Sequence, residues 1–301
     1  MGELASLSAS GVWATASLIF SRLGKTISAL ALNWLKCVIA LVLMVISLLI
    51  LEGTVWPASL GLWETTILAI SGVVGLTLGD TAFFHALNRI GPRRTLLLGA
   101  MSPPMTAILA VPVLGEPLDA AMIVGMSLTM GGVVWVILER HPDDGPPADD
   151  ASAGLSKEAR IGVLFGLGYA TCQAVGNVLT KWGGGEITAL EISIVRLVFG
   201  IIGLTMILGA TKRFMETVEP FKDRRTGLLV VVATFLGTFL GIWLMNAGLR
   251  YTYTGIASTL ASTSPIFVLP LAYIFNNEQL SMRSILGAFI AVGGVAVLML
   301  T

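Results

Sequence analysis

Charge is scarce in this sequence. Only 12% of its 301 residues are Asp, Glu, Lys or Arg, and the 18 basic residues cancel the 18 acidic ones. Nucleic-acid binding needs a basic surplus to neutralise phosphates, so no nucleic-acid partner is expected. Cysteine is nearly absent: Cys37 and Cys172 both fall in apolar stretches, which supports neither a disulfide framework nor a thiolate metal site. The two histidines, His85 and His141, stand far apart without a His-x-x-x-His spacing, against a zinc enzyme. The chain also lacks a Gly-x-x-x-x-Gly-Lys-Ser/Thr loop and a Gly-x-Ser-x-Gly elbow. Nucleotide hydrolysis and serine-nucleophile chemistry are therefore not indicated. The reading is of a non-enzyme without cofactor or metal.

Apolar residues are what the chain has: 55% of it is hydrophobic, with a mean hydropathy of +0.88. A membrane-spanning helix needs about 20 mainly apolar residues, and ten such segments are predicted, at 6–24, 28–51, 63–86, 94–114, 119–138, 160–181, 187–210, 226–248, 254–275 and 281–300. The first has no basic residue before it and has a counterpart later in the chain, so it is expected to stay in the mature protein. One connection is long, Glu139 to Glu158, and its Pro, Gly, Asp and Ala content cannot build a packed core.

The linker divides two versions of one pattern. An offset of 162 residues aligns 72–138 with 234–300 without a gap, and roughly 17 of 67 pairs are identical, a degree of internal similarity that marks a duplication. Gly75 and Gly79 fall on Gly237 and Gly241, Ser102-Pro103 on Ser264-Pro265, Glu116 on Glu278, Gly125 on Gly287, and Gly131-Gly132 on Gly293-Gly294. With a one-residue gap, Arg22 matches Lys181 and Lys36 matches Arg196. Residues 1–138 thus form the first five-helix repeat, 139–158 the linker and 159–301 the second.

Five is odd, so the second repeat enters the membrane inverted. Basic residues agree: 14 lie on the linker's face, whereas the other holds Lys181 and Arg250. The positive-inside rule makes the linker cytoplasmic and both termini external, in what is expected to be the plasma (inner) membrane. The fold class is all-α integral membrane, ten transmembrane helices as two inverted five-helix repeats.

Several features mark a pathway between the repeats. Gly75-x-x-x-Gly79 and Gly237-x-x-x-Gly241 permit close helix approach, as static packing or as a moving contact. Pro103, Pro104, Pro112, Pro265 and Pro270 predict kinks in the fourth and ninth helices, either facing lipid or lining a cavity. Ser10, Trp13, Ser17 and Ser21 form one polar stripe and Tyr169, Gln173, Asn177 and Thr180 another, serving interhelical bonding or bounding an aqueous pocket. On the pocket reading, the candidate substrate-binding residues are Trp13, Ser17, Ser102, Tyr169, Gln173, Asn177, Trp243, Ser262 and Ser264, with Trp13, Tyr169 and Trp243 as an aromatic wall. Trp56, Trp63 and Trp182 sit near span ends and read as interfacial anchors. Charges inside spans are costly and informative. Lys36 and Asp80 lie at similar depth and could pair. Arg196, the repeat mate of Lys36, has Glu191 and Asn246 as candidate neighbours, or could snorkel to the interface.

Taken together, the small-residue third helix, the Ser-Pro fourth helix, the Glu116-Pro117-Leu118 and Glu278-Gln279-Leu280 corners and the Gly-Gly fifth helix resemble the EamA-type members of the drug/metabolite transporter superfamily. That resemblance implies a secondary transporter of small metabolites, and it points to export of amino acids or similar compounds by alternating access between the repeats. Asp80 is the best proton-carrier candidate, with an uncoupled facilitator or a non-transporting scaffold as alternatives. The expected partners are a small-molecule substrate and the lipid bilayer, and the chain is expected to be monomeric.

Overall fold

The computed structural model describes residues 1–24, 26–57, 60–138, 157–185, 187–264, 266–267 and 282–300, the side chains of 21, 91–94, 136–138 and 284 aside. The linker, Pro265, Pro270 and the Glu278 corner lie outside the described residues. All regular structure among the described residues is helical, chiefly α1 Gly2–Leu23, α2 Ala29–Glu52, α3 Leu62–Gly72, α4 Asp80–Gly99, α5 Ser102–Leu114, α6 Ala120–Leu138, α7 Lys157–Gly184, α8 Ala189–Ala210, α9 Arg224–Thr234, α10 Gly241–Tyr251, α11 Thr254–Ala261 and α12 Met282–Leu300. Six stretches are long and apolar enough to cross a membrane, and 120–135 and 285–300 are shorter apolar helices. The protein is an all-α integral membrane protein.

Local chemistry sets several ends. Ser28 caps α2 through Ala31 N–H, and Gly53 closes it at φ +70°, a left-handed conformation that glycine adopts without cost. Thr188 and Glu191 form a reciprocal capping box on α8, each satisfying a backbone donor. This fixes Glu191 at the helix start and away from Arg196.

The helical run of α4 contains a reversal between spans. Gly79 faces Cys172, Phe83 faces Tyr169 and Arg89 faces Glu158, after which Leu98 faces Gly166 and Gly99 returns to Tyr169. The chain therefore descends one side of α7 and climbs back along it, so the third and fourth spans both pack on α7.

Inversion is visible in single contacts. In the α6–α12 pair, a Cβ on Gly132 would meet Ala291 N at 2.5 Å, and one on Gly294 would collide with Thr129. At the 162-residue offset Thr129 is the mate of Ala291 and Gly132 of Gly294, so the two contacts are one contact repeated about a two-fold axis. Likewise Gly79 meets Cys172 Cβ and Gly241 meets the Trp13 indole.

Most helix packing crosses between the repeats: α1 on α10 and α11, α2 on α8, α3 and α5 on α7, α6 on α12. One core cluster joins Cys37, Met44 and Leu48 of α2 to Ile194, Leu197 and Leu204 of α8 and to Phe239 and Ile242. The repeats interlock as partners.

Candidate functional site

Two backbone irregularities occur at matching places in both repeats. The chain forms π-helix over Val73–Gly79 and again over Phe235–Leu240, 162 residues later. A π-segment shifts the hydrogen-bond ladder and loosens carbonyls from it. Asn33 Nδ2 donates to Leu76 O at 3.0 Å in the first, and Trp13 Nε1 donates to Gly237 O at 2.7 Å in the second. Both segments carry the Gly-x-x-x-Gly pairs, which face the opposite repeat.

The second irregularity is a break. Helix stops at Gly99 and restarts at Ser102, and it stops at Ala261 and resumes at Ser264 after a turn at Ser262-Thr263. The prediction that Pro103 and Pro104 kink the fourth helix is corrected here: they occupy the first turn of α5, where a missing N–H costs nothing. Pro112 does lie within a helix.

Near these irregularities sit the buried charges. Lys36 Nζ of α2 lies 2.6 Å from Asp80 Oδ2, the first residue after the π-segment, and Gln173 Nε2 of α7 donates to Asp80 Oδ1 at 3.0 Å. Arg196 of α8 is 5% exposed, so it does not snorkel, and its Nη1 donates to Asn246 Oδ1 at 3.0 Å. Asn246 Nδ2 donates in turn to Ser193 Oγ at 2.7 Å. Across α7, α11 and α5, Asn177 Nδ2 reaches Ser258 Oγ at 3.4 Å, and Ser258 reaches Thr106 Oγ1 at 3.4 Å.

The remaining candidates are scattered around this network. Ser102 is buried and its carbonyl accepts from Thr106. Ser17, Ser262 and Ser264 donate to carbonyls of their own helical turn, Ala14, Ser258 and Ala261. Tyr169 packs against Phe83 and beside Gly99, Trp13 against α10 and α11, and Trp243 against Phe239. No ring contact joins Trp13, Tyr169 and Trp243 among the described residues.

Sequence reasoning missed Thr106, Ser258, Asn33 and Ser71, the last donating to Gly176 O and meeting Thr180, each at 2.8 Å. Their signal was weak, since a lone Ser or Thr in an apolar helix usually bonds its own backbone. It also gave Glu116 only a place in a corner motif. In the fold Glu116 Oε1 lies 2.6 Å from Lys181 Nζ and accepts from Thr254 Oγ1, while Oε2 accepts from Thr254 N–H at 2.6 Å. A first-repeat carboxylate thus caps α11 of the second repeat.

Beside it opens a cavity of about 480 Å³, lined among others by Glu116, Lys181, Arg250, Thr180 and Asn246, within the size range of small-molecule sites. It lies at the end of the bundle where Gly2 touches Tyr251 and Thr252, opposite the start of α7 after the linker. Among the described residues no cluster of His, Cys, Asp and Glu could hold a metal.

Inverted repeats with paired irregular helices at their junction define the transporter class of membrane protein. The EamA-like transporter family matches residues 1–138 and 160–300, and the chain belongs to that family. It is a membrane transporter for which the family implies a small-molecule substrate. Among solved structures, one titled only as the crystal structure of a protein superposes with a TM-score of 0.77 at 19% identity, covering 99% of this chain and 96% of that one. It supports the fold. No curated protein matches the chain.

Proposed function

We propose that the chain is a secondary transporter that exports amino acids or similar small amphipathic metabolites by alternating access, with the linker cytoplasmic and both termini outside a plasma membrane. The observation that carries this reading is the matched pair of helix breaks, Ala100-Met101 and Ser262-Thr263, next to matched glycine-bearing π-segments. Broken helices in corresponding places of inverted repeats are where transporters bind their cargo. The substrate path runs past Ser102, Gln173, Asn177 and Ser258, with Trp13, Tyr169 and Trp243 offering apolar surface around it.

Because α1, α2 and α6 pack chiefly on second-repeat helices, the moving bodies are bundles that mix both halves. Rocking of two intact five-helix repeats would break most of the packing. Asp80, held by Lys36 and Gln173, is the group whose protonation would release Lys36 and couple movement to a proton gradient. The test is efflux. Cells preloaded with labelled amino acids should lose label faster when expressing the chain, and a protonophore should slow the loss. Faster uptake with unchanged efflux would reverse the assigned direction.

A further inference from the structure

We infer that Arg196 is the receptor for the anionic group of the substrate, which makes the cargo a carboxylate-bearing metabolite; this rests on the transport reading above and names its substrate class. Arg196 is 5% exposed and stands mid-span in α8. A guanidinium offers five donors in a planar fork, yet this one makes a single hydrogen bond among the described residues, to the neutral amide of Asn246. Its Nε is buried without a partner, and no described carboxylate lies within 4.0 Å of it. Such a charge in a membrane is costly, and a purely structural arginine would be expected to face an acid.

The acid that could serve is occupied. Asp80 is held by Lys36 at 2.6 Å and by Gln173 at 3.0 Å, so Lys36, Asp80 and Arg196 together carry one uncompensated positive charge. Space beside the guanidinium is kept by glycines: an added Cβ would stand 3.1 Å from Nη2 at Gly75 and 3.8 Å at Gly176. Both belong to the junction between repeats, and Gly75 lies in the π-segment.

A route leads there. The cavity on the face opposite the linker is lined by Asn246 and Thr180; Asn246 bonds Arg196, and Thr180 bonds Gly176 O one turn along α7. Two of the cavity's lining residues, Lys181 and Arg250, are cations, whereas Glu116 is its one carboxylate. A vestibule of net positive charge raises the local concentration of anions, and the free Nε edge suits the paired oxygens of a carboxylate.

The test is ligand-induced thermal stabilisation of the purified full-length protein, which does not depend on transport. The probes are matched pairs: benzoate with benzamide, L-phenylalanine with L-phenylalaninamide, and pyruvate alone, each also run against added chloride. At least one carboxylate should stabilise the wild type and its amide partner should not. Arg196→Gln should weaken that binding about ten- to hundredfold, as loss of a charge-assisted hydrogen-bond pair does, with Arg196→Lys retaining part of it. Should Arg196→Gln fail to fold, Asn246→Asp decides. It places a carboxylate beside the guanidinium, and it should fold at least as well while abolishing binding by occupying the receptor. Amides binding as well as acids, chloride matching the carboxylates, an absence of carboxylate-dependent stabilisation, or retained binding in Asn246→Asp would each overturn the assignment. Carboxylate binding lost in the variants, with no flux through reconstituted wild type, would uphold the receptor and sink the transport reading alone.

Discussion

Lys36 and Asp80, on different helices of the first repeat, meet through a 2.6 Å ion pair whose side chains are 14% and 16% exposed. Removing one partner strands the other in low dielectric, and breaking a buried pair typically costs about 3 to 5 kcal/mol. Folded yield should fall for Lys36→Met and for Asp80→Asn. The double variant Lys36→Met with Asp80→Leu should recover it, since apolar replacement of both charges is often neutral. Proton-driven flux should still be lost in the double variant; its retention would reduce the pair to a structural staple.

Gly79→Leu and Gly241→Leu probe the glycine contacts between the repeats. Gly79 faces Cys172 with 3.1 Å to an added Cβ, and Gly241 lies against the Trp13 indole. A leucine pushes the helices apart, so transport per folded molecule should drop in both. Parallel loss of yield and transport, with specific activity unchanged, would mark these contacts as static packing.

Glu116→Gln removes the charge that Lys181 meets and weakens the acceptor of Thr254 N–H. Hydrogen bonds to charged groups contribute about 1.5 to 3 kcal/mol each, and Tm should fall accordingly. Thr254→Val should fall less, because it removes only the hydroxyl bond at 2.8 Å and leaves the backbone one. A Thr254→Val loss larger than that of Glu116→Gln would contradict the capping role.

In the connector between α8 and α9, hydrogen bonds from Arg213 first and Ser28 second hold the Glu216 carboxyl below the usual carboxylate range. A depressed acid contributes stability above its unfolded pKa and loses it as pH falls through the folded value. Proteolysis of this connector should therefore accelerate below the ordinary glutamate range, and Glu216→Gln should remove that acid dependence.

Orientation follows the 14 to 2 distribution of basic residues. Reporters fused at Gly145 and Ser59 should read cytoplasm and exterior respectively. The opposite pattern would invert the assigned sidedness while leaving the duplication intact.

The duplication was legible because its punctuation survives in sequence: Gly79 and Gly241, or Ser102 and Ser264, carry the register through diverged apolar filler. Lys36 and Asp80 were also legible, since depth follows from residue count and 1.5 Å per residue. The π-segments were not. A π-turn arises where Gly75 and Gly237 press against neighbours, and hydrophobic period does not encode it. Pro103 read as a kink because the preceding Gly99-Ala100-Met101 contains no breaker strong enough to mark a stop. Partner choice was hidden as well: apolarity shows that α2 spans, but its packing on α8 depends on shape. Glu191 lay close enough in sequence to serve Arg196, and only its cap on Thr188 removes it.

Counterflow with purified protein bears on transport itself. Liposomes containing the wild-type chain and loaded with unlabelled amino acids should take up external labelled amino acid faster than protein-free liposomes. Arg196→Gln and Asn246→Asp should fall to the protein-free rate. Uptake equal to that of protein-free liposomes for every amino acid, monocarboxylate and amine offered, by protein shown to be folded, would contradict transport by this chain.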